Sequence, residues 1–319
     1  MTVRARARAG AVPLANDLNF RLAKSSALSR IAYLDHDDVI DLWKDVRSDS
    51  MNSPKMAELG FNTPTTRTAL QIAFKGAVCE PVRIVAEKKS GCEAYMWVDE
   101  ECLMITFSGT KDYRDILDNL DMQLIALKIK EQEIDEEPKQ YKDQLPMGLE
   151  DALDKCEIPA VQRGFLRRNQ SLVHKLRRAI TKMEAEHVIT SIHCTGHSLG
   201  GVDAALCALL MIAPTHIGAR IPVSVHTFGS PRVGNDSFAE WADVALAENI
   251  RVVHFMDVVV YLPFFRAGVG TCIVLTYIDK CDGMTPMDKA MMGLLMFHTC
   301  EQYIMGTMKA CENQRHFRL

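Results

Sequence analysis

The sequence lacks the features that identify several large classes of protein. Its ten cysteines include no CxxC pair and do not cluster with histidine at the spacing of a metal site. The formal net charge of the 319 residues is only -4, which gives no sign of a nucleic-acid partner. The longest apolar run, 258–278, contains Pro263, Arg266 and two glycines, so it predicts strands and a loop. A metal, a nucleic acid and a membrane-spanning helix are therefore not expected.

The scattered cysteines are predicted to be free thiols, which favours an intracellular, cytoplasmic location. Cys92 and Cys102 flank a predicted hairpin and could form a disulfide if the protein were exported. The first sixteen residues, MTVRARARAGAVPLAN, carry three arginines but too short an apolar stretch for a secretory signal. They predict a basic tail, and an organelle-targeting segment is the alternative.

The pattern along the chain predicts one large α/β domain with additions. Residues 1–75 show helical patterns and form a predicted helical amino-terminal extension, whereas 76–319 form the main domain. There a hairpin is predicted across the acidic turn 99–101, and strands then alternate with helices from residue 188 onward. Such alternation is typical of a mostly parallel sheet flanked by helices. The charged segment 121–160 predicts a lid-like insertion or a solvated linker.

The segment from Val188 to Met211 carries the main functional signal. A strand pattern leads into Gly196-His197-Ser198-Leu199-Gly200 and then into a helix pattern, which is G-x-S-x-G in a strand–turn–helix context. The glycines permit a sharp turn that exposes the serine at the amino end of a helix, where negative charge is favoured. Ser198 is therefore the candidate nucleophile, and an ordinary Gly/Ser turn is the alternative.

A serine hydroxyl needs a base, and the base needs an acid to orient it. In this arrangement the acid and then the histidine follow the serine along the chain. Asp257 directly follows the predicted strand IRVVHFM and is the candidate acid, with Asp236 and Asp243 as rivals in a helical pattern. His298 is the candidate base, and His316 near the terminus is its downstream rival. The alternative for His298 is packing against the preceding apolar helix.

Backbone N–H groups must face the carbonyl oxygen on which negative charge develops during the attack. Leu199 supplies one such group by its position after Ser198. The strand pattern ITFSGT ends at Thr110, which is the candidate for the second donor. A plain strand-to-loop turn is the alternative for Thr110.

Six motifs in order resemble those of the class 3 lipases, a family of fungal triacylglycerol lipases and plant phospholipase A1-type enzymes. They are ITFSGT, the GF of VQRGF, TGHSLGGVDAAL, TFGSPRVGN, HFMDVVVYLP and HTCEQY. The resemblance implies the α/β-hydrolase fold and hydrolysis of lipid acyl esters through an acyl-enzyme, without a metal or an organic cofactor. The positions that match the family's triad and oxyanion residues are Ser198, Asp257, His298, Thr110 and Leu199.

The sequence departs from the family pattern outside the triad. Val260 replaces the usual Pro after the acid, and Gln162-Arg163 replaces a pair that contains His. Asn119 stands where the family generally has an Asp that supports the oxyanion residue. Because an amide can still hydrogen-bond the Thr110 hydroxyl, Asn119 is the expected oxyanion support and activity is still expected.

In this family the chain after the oxyanion loop forms a helical lid. The resemblance therefore predicts that Met122 to Ile129 is an amphipathic cover over the acyl pocket, released at a membrane or lipid-droplet surface. A surface helix packed permanently on the core is the alternative. Two other functions stay open at this point. They are a catalytically silent lipase-like binding or signalling module, and a lipid acyltransferase that passes the acyl group to an alcohol or lipid acceptor.

Overall fold

The computed structural model describes residues 15–86, 91–110, 124–126, 159–212, 221–262, 270–275 and 298–312. The helices in these ranges are α1 (Ala15–Ile31), α2 (His36–Arg47), α3 (Pro54–Glu58), α4 (Pro64–Phe74), α5 (Arg163–Glu186), α6 (Leu199–Ile212), α7 (Asp236–Ala245) and α8 (Cys300–Glu312). The strands are β1 (Val82–Val85), β2 (Glu93–Asp99), β3 (Cys102–Phe107), β4 (Leu124–Ala126), β5 (Ala160–Gln162), β6 (Ser191–His197), β7 (Val223–Phe228), β8 (Glu248–His254) and β9 (Thr271–Leu275). A short 3-10 turn covers Val259–Tyr261.

Seven of these strands form one sheet in the order β1-β2-β3-β6-β7-β8-β9. Strands β1, β2 and β3 pair antiparallel, and every later pair in the sheet is parallel. The predicted hairpin is present between β2 and β3, with Glu100 at a φ of 55° in its turn. The mostly parallel sheet flanked by helices is therefore confirmed.

Helices cover both faces of the sheet, which explains why strands such as β2 and β6 are buried along nearly their whole length. One apolar core lies between the sheet and α5, α6 and α7, and includes Phe165, Val202 and Phe238. A second core lies on the opposite face beneath α1, α2, α4 and α8, and includes Leu28 and Trp97. Each fully buried large apolar side chain in these cores contributes about 1.5–3 kcal/mol to the free energy of unfolding.

Helix α1 is fixed to the sheet by polar as well as apolar contacts. Ser29 Oγ lies 3.1 Å from Thr195 Oγ1 on β6, and Ser26 Oγ lies 2.8 Å from Thr307 Oγ1 on α8. Helices α1 to α4 fall within the predicted amino-terminal extension, and α1 packs against β6, β7 and α8 of the main domain. The boundary at residue 75 stays a prediction.

The helix expected over Met122–Ile129 is not formed at Leu124–Ala126, which make up strand β4. This strand pairs antiparallel with β5, and the side chain of Leu124 is buried. Pairing with β5 satisfies backbone groups that a helix would have satisfied internally, so a tertiary partner overrides the local pattern. Most of the predicted lid, 121–160, lies outside the described residues, and its role as a lid stays a prediction.

Seven cysteines of the described ranges, among them Cys92 and Cys102, form no disulfide. Within the same ranges, no helix is both long enough and apolar enough to cross a bilayer.

A chain of buried and partly buried hydrogen bonds joins α1 to β6, β7 and β8. Ser25 Oγ lies 2.8 Å from His193 Nε2 and 3.0 Å from His226 Nδ1, and His226 Nε2 lies 2.6 Å from Glu248 Oε1. Burial lowers the pKa of His193 well below its usual value and also lowers the pKa of His226. Both imidazoles are therefore neutral in the folded protein around neutral pH.

We expect the free energy of unfolding to fall as the pH drops below about 6.5. There the unfolded chain binds protons that the buried His193 does not, so the slope from this group is at most about 1.4 kcal/mol per pH unit. His193→Gln should reduce the slope by up to that amount as the pH falls from 6.5 to 5 in urea titrations, but should not change the slope above pH 7.5, where histidine is neutral in both states. An unchanged slope in the acidic range would contradict the neutral assignment.

Candidate active site

The chain turns sharply between β6 and α6, and Ser198 occupies the turn. Its φ of 57° lies in the left-handed region, which costs a non-glycine residue about 1–3 kcal/mol. A Cβ at Gly196 would lie 2.2 Å from the carbonyl oxygen of Gly200, and a Cβ at Gly200 would lie 2.4 Å from that of Phe107. Both glycines of the G-x-S-x-G motif are therefore required by the close approach of backbone atoms.

The Ser198 side chain is buried in this turn. The residue is 2% exposed, and its Oγ has no hydrogen-bond partner among the described residues. Its backbone N–H donates to the Phe228 carbonyl oxygen at 2.9 Å, so β7 holds the turn in place. A buried, unpaired hydroxyl costs about 1–3 kcal/mol, and such groups often mark functional sites.

Asp257 and His298 are hydrogen-bonded to each other in the buried interior. His298 Nδ1 lies 2.7 Å from Asp257 Oδ2, and these two residues are 3% and 0% exposed. Because a carboxylate only accepts, Nδ1 carries the proton and Nε2 of the neutral ring is left as the basic nitrogen. Asp257 Oδ1 also accepts the Val259 N–H at 2.9 Å, so the 3-10 turn fixes the carboxylate plane.

The His298 ring reaches the serine turn. Its centroid lies 4.6 Å from that of His197, the residue directly before Ser198. Within the described part of the chain no hydrogen bond joins Ser198 Oγ to His298 Nε2, although both atoms are buried. The structure thus brings the predicted base and acid together beside the predicted nucleophile and leaves the serine bond unformed.

The predicted oxyanion residues lie at the same end of neighbouring strands. Strand β3 runs parallel to β6, with Phe107 opposite Gly196, and Thr110 follows β3 as a half-buried residue. Leu199 is the first residue of α6 and is buried. A Cβ at Gly200 would lie 2.9 Å from the Gly109 nitrogen, so the segment before Thr110 passes directly against the serine turn. Asn119 lies outside the described residues, and its support of Thr110 stays a prediction.

The profile of the lipase (class 3) family matches residues 104–267, just over half of the chain. The protein belongs to the class 3 lipases. Two of its curated relatives are a lipase of Caenorhabditis elegans and a chloroplastic phospholipase A1 of Arabidopsis thaliana. The first is 37% identical over 121 residues, which are 37% of this chain and 32% of the relative. The second is 38% identical over 103 residues, which are 31% and 20% of the two chains, so each alignment spans a third or less of the relative.

The fold of this class 3 lipase is shared with solved fungal lipases. Lipase II from Rhizopus niveus superimposes with a TM-score of 0.57 and 17% identity, over 88% of this chain and 93% of the fungal one. The α/β-hydrolase fold that the motifs implied is therefore confirmed.

Tyr303 is a site residue whose role the sequence did not reveal. This buried tyrosine on α8 donates to Asp257 Oδ2 at 2.7 Å and accepts the His254 N–H at 3.0 Å. Burial and the adjacent Asp257 raise the pKa of Tyr303 well above its usual value, so it remains a donor. A Cβ at Gly229, whose φ is 59°, would lie 2.9 Å from Asp257 Oδ2. In the sequence, Tyr303 could have been found from its position five residues after His298, which places it on α8.

The rival residues of this lipase have other places in the structure. Asp236 is the first residue of α7, and Asp243 Oδ1 accepts a hydrogen bond from Asn249 Nδ2 at 2.6 Å. His193 on β6 and His226 on β7 are buried. His316 lies outside the described residues. No group of three or more metal-ligating side chains with site geometry occurs in the described ranges.

Proposed function

We propose that this protein hydrolyses carboxyl esters of lipid acyl chains through an acyl-enzyme formed on Ser198. The observation that carries the proposal is the buried Asp257–His298 hydrogen bond of 2.7 Å beside the strained, unpaired Ser198 hydroxyl. A strained turn and a buried unpaired hydroxyl both cost stability, and a catalytic role accounts for both.

In the proposed mechanism Ser198 Oγ attacks the ester carbonyl while His298 Nε2 takes the hydroxyl proton. Asp257 remains ionised and stabilises the imidazolium through Nδ1. The N–H groups of Thr110 and Leu199 receive the oxyanion, and Asn119 supports Thr110. The C–O bond to the alcohol then breaks, and His298 returns the proton to the departing alkoxide. Water, deprotonated by the same Nε2, releases the fatty acid and restores Ser198.

The substrate class proposed is an acylglycerol or a phospholipid. The two curated relatives bear the names lipase and phospholipase A1, and both names denote enzymes that act on acyl esters of lipids. Phe255, Met256 and Tyr261, which flank Asp257 at the carboxyl end of β8, are 43%, 39% and 43% exposed. Exposed apolar side chains beside the site support transient contact with a membrane or lipid-droplet surface. An intracellular location remains part of the proposal.

The test is to map the serine that reacts with a fluorophosphonate probe. Native protein should carry one label on the peptide that contains Ser198, and heat-unfolded protein should carry none. The same preparation should hydrolyse p-nitrophenyl esters, and a preference for long acyl chains would indicate a lipase over a short-chain esterase. A label on another serine, or folded protein with neither label nor hydrolysis, would contradict the proposal and favour the silent binding module. When an alcohol is added, the products distinguish the two reactions, because hydrolysis gives a free fatty acid and acyl transfer gives a new ester.

A further inference from the structure

The ring of His197 lies between Tyr33 and His298. Its centroid is 4.6 Å from the His298 centroid, with 42° between the ring planes, and 5.9 Å from the Tyr33 centroid. The Tyr33 hydroxyl lies 2.9 Å from His197 Nδ1. His197 is 4% exposed. One hydrogen bond and one ring contact therefore connect a residue of the amino-terminal segment to the proposed general base.

The charge state of His197 follows from these contacts. Burial, and next the neighbouring His298, lower the pKa of His197 well below its usual value. The Tyr33 hydroxyl also lies 3.4 Å from the His197 carbonyl oxygen. In the tautomer of His197 with its proton on Nε2, the hydroxyl donates to Nδ1 and stabilises the neutral form further, because the lone pair it uses is the one a second proton would take. The imidazolium that forms on His298 during catalysis thus lies beside an uncharged ring, whereas a charged His197 would destabilise it.

Tyr33 is held in place from several sides. It lies in the turn that follows α1, where its N–H donates to the Arg30 carbonyl oxygen at 3.2 Å. A Cβ at Gly109 would lie 2.0 Å from the Tyr33 hydroxyl oxygen, so this hydroxyl packs directly against the strand end that leads to Thr110. The hydroxyl therefore contacts both the serine turn and the proposed oxyanion segment.

We propose that Tyr33 and His197 are positioning residues for His298. The Tyr33 hydroxyl keeps the His197 ring neutral and fixed, and that ring sets the orientation of the His298 imidazole. The inference deepens the proposed function and rests on it for its catalytic consequences. Helix α1, within the predicted amino-terminal extension, becomes part of the machinery that orients the base.

The test compares Tyr33→Phe with Tyr95→Phe. The control removes the hydroxyl of Tyr95 on β2, which donates to the Leu34 carbonyl oxygen at 2.9 Å, beside the turn that follows α1 and outside the site. Both variants should lose similar thermal stability. Tyr33→Phe alone should lower kcat roughly tenfold with KM little changed, because misorientation of a catalytic group slows the chemical step.

The pH profile gives a second, more specific result. The titratable groups that face His197 are Arg30 and Tyr33 from α1 and its turn, and His298 and Tyr303 from the carboxyl-terminal segment. Without the Tyr33 hydroxyl, His197 can also bind a proton. The pair of His197 and His298 then takes up its first proton more readily. The acidic limb of kcat/KM should therefore move to higher pH in Tyr33→Phe, and it should stay in place in Tyr95→Phe.

Histidine titration by NMR separates this inference from the proposed function, because it needs no substrate. A higher pKa of His197 in Tyr33→Phe than in wild type supports the inference even if the wild-type protein hydrolyses no ester. An unchanged His197 pKa with unchanged kcat would overturn it. If Tyr33→Phe does not fold, His197→Asn serves in its place. It should lower kcat at least about tenfold, and wild-type kcat would overturn the inference.

Discussion

Ser198→Ala should lower kcat by about 10⁶-fold, remove fluorophosphonate labelling and leave the protein at least as stable as wild type. The activity falls because the acyl-enzyme cannot form without the hydroxyl. The stability is retained because alanine is no more strained at a φ of 57° than serine, and because the hydroxyl that is lost is buried and unpaired. Removing such a group relieves a cost of about 1–3 kcal/mol. Esterase assays and thermal unfolding of the same preparation measure both effects.

Ser224→Ala is the matched control for this variant. The Ser224 hydroxyl is hydrogen-bonded to His193 Nδ1 at 2.8 Å on β7, so its loss should lower the melting temperature and leave kcat unchanged. Substantial activity in Ser198→Ala would mean that a different residue is the nucleophile. A large loss of stability in that variant would mean that the hydroxyl has a structural partner.

Asp257→Asn should lower kcat by about 10⁴-fold with the fold intact. Among the described residues, the partners of this carboxylate are three donors, namely His298 Nδ1, the Tyr303 hydroxyl and the Val259 N–H. An amide must place its NH2 group either against His298 and Tyr303, which share Oδ2, or against Val259, which donates to Oδ1. If that group faces His298, the ring takes the tautomer with the proton on Nε2, which can no longer accept the proton of Ser198. If it faces Val259, two buried donors oppose each other.

Asp243→Asn tests the specificity of this effect. Asp243 was one of the two rival acids in the sequence, and its carboxylate accepts a hydrogen bond from Asn249 Nδ2. The variant should keep kcat within about twofold of wild type, since surface substitutions away from the site have small effects. An Asp257→Asn protein with nearly wild-type kcat would show that the buried pair serves packing alone.

The parts of the site that could be predicted from sequence are those with local signals. The serine turn needs glycines at fixed offsets, and the acid stands directly after a strand, so Ser198 and Asp257 were both identifiable. The parallel order of β6, β7 and β8 then brings these residues to one edge of the sheet. His298 was identified by chain order and by the family motif that contains it.

The contacts that sequence analysis missed join residues far apart in the chain. Tyr33 and His197 are separated by 164 positions, and Tyr303 approaches Asp257 from α8. No periodicity or spacing encodes such a contact, because it depends on how helices settle on the sheet. The same reason applies to Leu124, which lies in a stretch with a helical pattern and forms a strand because β5 supplies a partner.

The close approach of Gly109 to Tyr33 has a consequence for variation and redesign of this protein. The 2.0 Å between the missing Cβ and the Tyr33 hydroxyl oxygen leaves no space for any side chain at residue 109 while tyrosine stands at residue 33. A side chain at residue 109 therefore requires a smaller residue at position 33, together with a shift of the His197 carbonyl oxygen, which lies 2.8 Å from the same point. A redesign that adds a side chain to the segment before Thr110 must therefore also change the turn that follows α1, where Tyr33 lies.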